Sequence, residues 1–287
     1  LWIGVSFLLL LSVATTDALR LAYSVATTRP AFGSQNAVAS VSAFAAIALG
    51  LGISGWALWE GRKLRVKRVE IPLRKLPQAL DGLRIVQLSD VHVGPTIGRK
   101  LIEQIVRTVN DLAPDIVAIT GDLVDASVDD LEEHVAPLAD LASTFGTFFV
   151  TGNHEYHAGA PEWCEHLGKL GVRVLRNECV ALERDGADLP QAVAGRDRSR
   201  PLILLAHQPR AIHEAVRHAV DLQLSGHTHG GQLWPLNWLL RLGQPVVARL
   251  AKFGETFVYV SRGTGYSGPT MRLAAPSEIT DIVLRAA

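Results

Sequence analysis

Five short apolar runs punctuate the middle of the chain, at 85–88, 116–119, 148–150, 202–205 and 222–224. Each is rich in β-branched, aromatic or leucine side chains, too short for a stable helix and bounded by turn residues, which is the pattern of a buried strand. Residues 66–72, 257–260 and 278–284 read as further strands, the first followed by a linker at 72–77. Between them, 96–112 repeats Ile97, Leu101, Ile105, Val109 and Leu112 at helical spacing, and 131–145 and 160–170 follow the same logic. Strands alternating with helices imply crossover units and an α/β fold. Polar residues gather just past the strand ends: Asp90 and His92, then Asp122, Asn153 and His154, His207, and finally His227 and His229. Carboxyl ends of strands in open α/β sheets form the crevice where ligands bind, so these scattered side chains can converge on one site.

The amino-terminal pattern is different. The first 60 residues carry only Asp17, Arg20, Arg29 and Glu60 as charged groups, which is membrane composition. Residues 37–59 give 23 positions without a charge, enough to cross a hydrocarbon core of about 30 Å. Residues 1–16 are also apolar though short, and two membrane helices are expected over 1–61, with a catalytic domain over 62–287. The chain begins with Leu rather than Met, which points to missing residues at the amino end. Ser42, Ala46, Gly50 and Ser54 recur every fourth residue, a small-residue stripe that would admit a second helix in the membrane. Arg62, Lys63, Arg65, Lys67 and Arg68 follow the second span while the connecting loop offers only Arg20 and Arg29, so the positive-inside rule puts the domain in the cytoplasm.

The polar residues form ordered blocks: Asp90-Val91-His92, Gly121-Asp122, Gly152-Asn153-His154-Glu155, His207-Gln208-Pro209 and Gly226-His227-Thr228-His229. Taken singly, an Asp-x-His or a Gly-Asp is a surface turn; the ordered set resembles the calcineurin-like metallophosphoesterases. The resemblance covers roughly residues 66–285 and is nearest to the membrane-associated branch typified by YkuE and YaeI, on Leu88-Ser89-Asp90, Ala206-His207-Gln208-Pro209, Gly230-Gly231-Gln232 and Ser261-Arg262-Gly263. It implies two mixed β-sheets packed face to face with flanking helices. It also implies two divalent metals, one held by Asp90, His92, Asp122 and His229 and the other by Asp122, Asn153, His207 and His227, with Asp122 bridging. Carboxylate, amide and imidazole ligands without a thiolate suit manganese, iron, zinc or cobalt in an open site rather than a closed structural zinc site. The implied reaction is hydrolysis of a phosphodiester or pyrophosphate by a metal-bridging hydroxide, with His154 assisting the leaving group, and a lipid-linked phosphoester is the favoured substrate. A phosphomonoesterase or protein phosphatase, or a catalytically silent membrane scaffold, are the alternatives.

Composition sets outer bounds. The 28 basic and 28 acidic residues balance, so no nucleic-acid-binding surface is expected. Two cysteines, Cys164 and Cys179, match no metal spacing. His134, His166, His213 and His218 lie in polar or helical stretches and read as solvated, while His157 reads as a rim residue beside His154. Residues 184–200 replace a longer stretch common in relatives, and a shortened or missing edge strand is expected there. Residues 233–253 interleave Trp234, Trp238, Leu239 and Leu240 with Arg241, Arg249 and Lys252, a composition suited to a membrane-facing flap.

Overall fold

The computed structural model describes residues 1–27, 36–180 and 199–287, with the side chains of 36–38 left aside. The chain divides into two compact units, Leu1–Lys63 with Gly268–Leu273, and Leu64–Ser267 with Ala274–Ala287.

The first unit is built on α1 (Trp2–Thr27) and α2 (Asn36–Gly61). The first helix runs well beyond the sixteen residues expected, because its two charges pair within the helix, Arg20 lying 3.7 Å from Asp17 one turn away. Both helices are long and apolar enough to cross a membrane, and only 17% and 22% of their apolar windows are buried in the protein. The helices meet along the small-residue stripe: Ala46, Gly50 and Ser54 are buried, and a Cβ at Gly50 would stand 2.9 Å from Leu9. The second helix partner of that stripe is therefore α1 itself.

The second unit holds two sheets. After β1 (Val66–Leu73) and β2 (Arg84–Leu88), the chain makes α3 (Arg99–Asp111), β3 (Ile116–Ile119), α4 (Val128–Val135), β4 (Thr147–Phe149), α5 (Asn153–Ala158), α6 (Ala160–Lys169) and β5 (Arg173–Val174). There follow β6 (Ile203–Leu205), α7 (Ile212–Arg217), β7 (Leu222–Ser225), α8 (Leu236–Leu240), β8 (Arg249–Phe253), β9 (Thr256–Val260) and β10 (Ile279–Ala286). The six-stranded sheet has the order β1-β10-β2-β3-β4-β5 and the four-stranded sheet β6-β7-β9-β8, both mixed.

Alternation along the strands explains the layers, since neighbouring residues point to opposite faces. Ile85, Ile116 and Phe148 face inward with Leu222, Leu224 and Tyr259 of the other sheet and form the core between the sheets. Val86, Leu88, Val117, Ile119 and Phe149 face outward and meet the helices. On α3, Ile102, Ile105, Val106 and Val109 recur at helical spacing and are buried on that layer, each stabilising by about 1.5–3 kcal/mol. Beyond the smaller sheet, Val258 and Val260 pack with Ile212 and Ala215 of α7. Helix, sheet, sheet, helix is the expected sandwich.

Some expected elements differ. The helix expected over 131–145 is the two-turn α4 followed by a 3-10 turn, Ala136–Asp140, with Pro137 at its start. Proline cannot donate to the preceding turn and disfavours helix before it, which ends α4. Residues 249–253 form β8, antiparallel to β9, rather than continuing the flap. His166 is half-buried, not solvated, with its ring edge-on to Trp163 at 5.7 Å. Cys164 and Cys179 are both free. The stretch 184–200 lies almost wholly outside the described residues.

Candidate metal centre

The loops that leave β2, β3, β4, β6 and β7 bring all eight expected site residues to one end of the paired sheets. Asp90, His92 and His229 offer ligand atoms within 4.8 Å of one another, and so do Asp122, His207 and His227. Asn153 joins the second group, its Oδ1 lying 2.9 Å from His227 Nδ1. His154 lies beside Asp122, its backbone amide donating to Asp122 Oδ1 at 2.8 Å and its Nε2 standing 3.9 Å from Asp122 Oδ2.

Backbone conformation at the site is unusual. Asp90 (φ 52°), His92 (55°), Asp122 (51°), His227 (71°) and His229 (50°) all adopt the left-handed region. Asp and His tolerate that region better than bulky or branched residues, yet each still has a cost that surrounding structure must offset. Those offsets are visible as cross-loop hydrogen bonds: Asp90 N to Gly121 O, His92 N to Asp122 O, and His227 N to both carboxylate oxygens of Asp90. Close approach then demands glycine at two places. A Cβ at Gly226 would stand 1.9 Å from Ser89 Oγ, and one at Gly152 would stand 2.2 Å from Asp122 Oδ1. Beneath the loops, Gln87 Nε2 donates to Thr120 Oγ1 and Ser225 O, tying the two sheets together under the site.

Side-chain chemistry fits cations. His207 Nδ1 is paired with the carbonyl of Thr120 at 2.8 Å, which fixes its tautomer and leaves the Nε2 lone pair pointing into the site. That Nε2 is buried, 3.1 Å from Asp122 Oδ2, and turned so that it makes no hydrogen bond. In the other group, His92 Nδ1 is held by Asp125 Oδ1 at 2.7 Å, so its Nε2 faces His229 Nε2 at 3.0 Å. Two imidazole lone pairs cannot face each other without a proton or a cation between them. Burial pulls the His207 pKa down, but the Asp122 carboxylate and the Asp90 charge outweigh it and push it up to about 9. Burial opposes ionisation of Asp122 as well, and the paired His207 overrides that and lowers its pKa to about 2. Positive charge is thus favoured beside Asp122, where the ligand atoms of this group meet. Burial, then the neighbouring His207, lowers the His227 pKa and keeps that imidazole neutral, as a ligand must be.

Two further acidic residues, Asp125 and Glu155, have roles that the sequence blocks do not assign. Asp125 lies three positions after Asp122, and its Oδ1 takes both His92 Nδ1 at 2.7 Å and His154 Nδ1 at 2.9 Å. The Gly-Asp-x-x-Asp spacing was its signal. Glu155 is fully buried, and its carboxylate accepts from the amides of Gly152, Asp122, Leu123 and Val124 at 2.6–3.2 Å. Burial pushes its pKa up and these amides oppose the rise. It is the acceptor that shapes the Asp122 loop. Glu155→Ala strands those donors in the interior and is expected to cost about 3–5 kcal/mol, or roughly 10 °C in Tm. Thermal unfolding of the two proteins side by side checks this, and a melting point shifted by under about 2 °C would rule out the organising role. His157, by contrast, is exposed at the rim.

Residues 83–231 match the family described as calcineurin-like phosphoesterase. The chain belongs to that family. It is 42% identical over 252 residues to a "Transmembrane protein with metallophosphoesterase domain" of Danio rerio, a match covering 78% of this chain and 58% of the relative. It is 40% identical over 248 residues to an uncharacterized metallophosphoesterase of Helicobacter pylori (strain J99), covering 80% of this chain and 66% of that one. Against the uncharacterized metallophosphoesterase YkuE of Bacillus subtilis it is 30% identical over 271 residues, covering 84% and 94%. The chain thus spans about three fifths of the Danio rerio relative. Family membership implies a metal-dependent phosphoesterase, and the relatives' names together with α1 and α2 support membrane association.

Proposed function

We propose that this chain is a membrane-anchored, dinuclear-metal phosphoesterase that cleaves a phosphodiester or pyrophosphate bond. One observation carries the reading: two ligand groups, Asp90/His92/His229 and Asp122/His207/His227 with Asn153, meet at adjacent loop ends with their lone pairs directed inward. Asp122 has oxygens toward His207 and toward the His154 amide, and the family resemblance assigns it to both cations. When bound, a pair of divalent cations supplies charge stabilisation of the phosphoryl oxygens and a water acidic enough to ionise near neutral pH.

The protein's own contribution follows from its geometry. Asp90, Asp122 and the four ligand histidines fix where the cations sit, and the neutral Asn153 leaves more of their charge for phosphate. Asp125 holds His154 by Nδ1, so Nε2 is the atom free to meet the leaving-group oxygen, and as an imidazolium it donates the proton that oxygen needs. Half-exposure suits this duty, since His154 must reach a substrate arriving from solvent. The basic residues Arg62 to Arg68 after α2 put the domain on the cytoplasmic side in this reading. The test is metal analysis of the detergent-purified chain with a substrate panel: bis-nitrophenyl phosphate, nitrophenyl phosphate, a phosphopeptide and a lipid pyrophosphate. About two metals per chain with diester or pyrophosphate turnover is expected. Turnover of the monoester or phosphopeptide alone would assign a phosphatase instead, and two-metal binding without any turnover a scaffold.

A further inference from the structure

Large exposed apolar side chains in the second unit are not scattered. Among the described residues, Val66, Tyr156 and Val216 are isolated, whereas Trp234 (46%), Trp238 (64%), Leu239 (64%) and Leu242 (87%) fall within nine consecutive positions on and beside α8. Single exposed hydrophobics need no account, but a contiguous group with two tryptophans does. The segment also carries basic residues. Residues 233–253 contain Arg241, Arg249 and Lys252 and no Asp or Glu, and with Lys252 paired to Glu255 at 3.6 Å, Arg241 is the cation beside the apolar group. The Arg241 guanidinium lies over the Trp238 ring at 5.9 Å, and Arg210 donates from Nε and Nη2 to the carbonyl of Gly243. Tryptophan with an arginine on its face, beside leucines pointing outward, is the chemistry of a membrane interface: an apolar body, a polar rim and attraction to anionic head groups.

The segment is fastened to the metal-site loop at both ends. Gly231 packs so closely on Asn237 that a Cβ there would stand 2.5 Å from it, Gln232 exchanges two hydrogen bonds with Ser267, and Thr228 Oγ1 donates to the Val247 carbonyl. Thr228 lies between His227 and His229. Whatever covers the apolar face is therefore held at the rim of the site.

We propose that α8 and its flanks form an interfacial seat, in which Trp234, Trp238, Leu239 and Leu242 enter an anionic bilayer and Arg241 meets its head groups. Chain connectivity favours this occupant over a protein partner: α1 and α2 are long and apolar enough to keep the domain within reach of a lipid surface, and Arg241 on the Trp238 ring complements anionic lipid. The proposal stands apart from the phosphoesterase reading, because neither metals nor turnover enter its test.

The test uses the full chain in phosphatidylcholine vesicles with and without phosphatidylglycerol, with Cys164→Ala and Cys179→Ala, and a spin label on Leu242→Cys or, as control, Glu165→Cys. Glu165 is exposed on α6, which packs on the larger sheet, whereas the segment follows β7 of the smaller one. A seated face makes the Leu242 label more accessible to oxygen, which partitions into lipid, than to a water-soluble nickel chelate, with the reverse at Glu165. Arg241→Glu should draw the Leu242 label toward water in the anionic vesicles. A chelate-accessible Leu242 label in both vesicles overturns the proposal. A label shielded from both reagents overturns it too, by pointing to a protein or a second copy on that face, and an Arg241→Glu chain that keeps the same depth removes the head-group role.

Discussion

Asp122→Ala is expected to abolish hydrolysis more completely than any other single change at this site. Its carboxylate holds two neighbours at once: Oδ2 lies 3.1 Å from His207 Nε2, and Oδ1 accepts from the His154 amide. In the proposed assignment its loss deprives both cations of a ligand and frees the loop that carries His154. Cation stabilisation of a phosphoryl transition state is worth several kcal/mol, so a fall of about 10³-fold or more in kcat/KM is expected, with metal content well below that of the parent. Elemental analysis and diesterase assays on the same samples check it. Normal metal content with unchanged turnover would show that Asp122 serves neither cation.

Stability sets a second expectation for that variant. In the metal-free protein Asp122 is held at about 2 and His207 at about 9, so each stabilises the fold through the other. The Asp122 contribution is present above its unfolded value and is lost as pH falls toward 2. The His207 contribution is present below its unfolded value and is lost as pH rises through 9. Removing the carboxylate removes both, which is why the fold of the variant has to be verified by unfolding before its activity is interpreted.

The sequence exposes this site unevenly, for physical reasons. Strands fully buried between a helix layer and a second sheet must be apolar throughout, so 85–88 and 116–119 announce themselves and the residues that end them stand out. That Asp90, His92, Asp122, Asn153, His154, His207, His227 and His229 meet at one end of the sheets was legible because residue types suited to metals recur there in short local blocks. Asp125 and Glu155 were not, since their roles lie in which atoms they meet across 29 to 33 positions of chain, and an acidic residue in a turn looks solvated until the turn is folded. Left-handed backbone at five site residues was equally hidden, because Asp and His announce no positive φ as glycine does. Helix ends were misjudged where local signals were weak: Asp17 and Arg20 look like a break in an apolar run but pair within α1, and Pro137 was outweighed by the leucine spacing around it.

His154→Asn separates proton delivery from metal binding. The asparagine keeps the backbone amide that donates to Asp122 Oδ1, so the metal-site loop is preserved and metal content should match the parent. What is lost is the imidazole that Asp125 orients. A lost general acid typically costs about 10²–10⁴-fold, and the loss should appear in kcat on substrates with a poor alkoxide leaving group. With an activated nitrophenyl leaving group, which departs without a proton, most of that deficit should vanish. Asp125→Asn is the less selective probe, because Asp125 Oδ1 also holds His92 Nδ1 and its loss disturbs a ligand histidine together with His154. The ratio of rates on the two leaving groups is therefore the decisive quantity. If His154→Asn slows both substrates equally while metals stay bound, His154 acts on the attacking side or on the phosphoryl oxygens, and the leaving-group assignment is wrong.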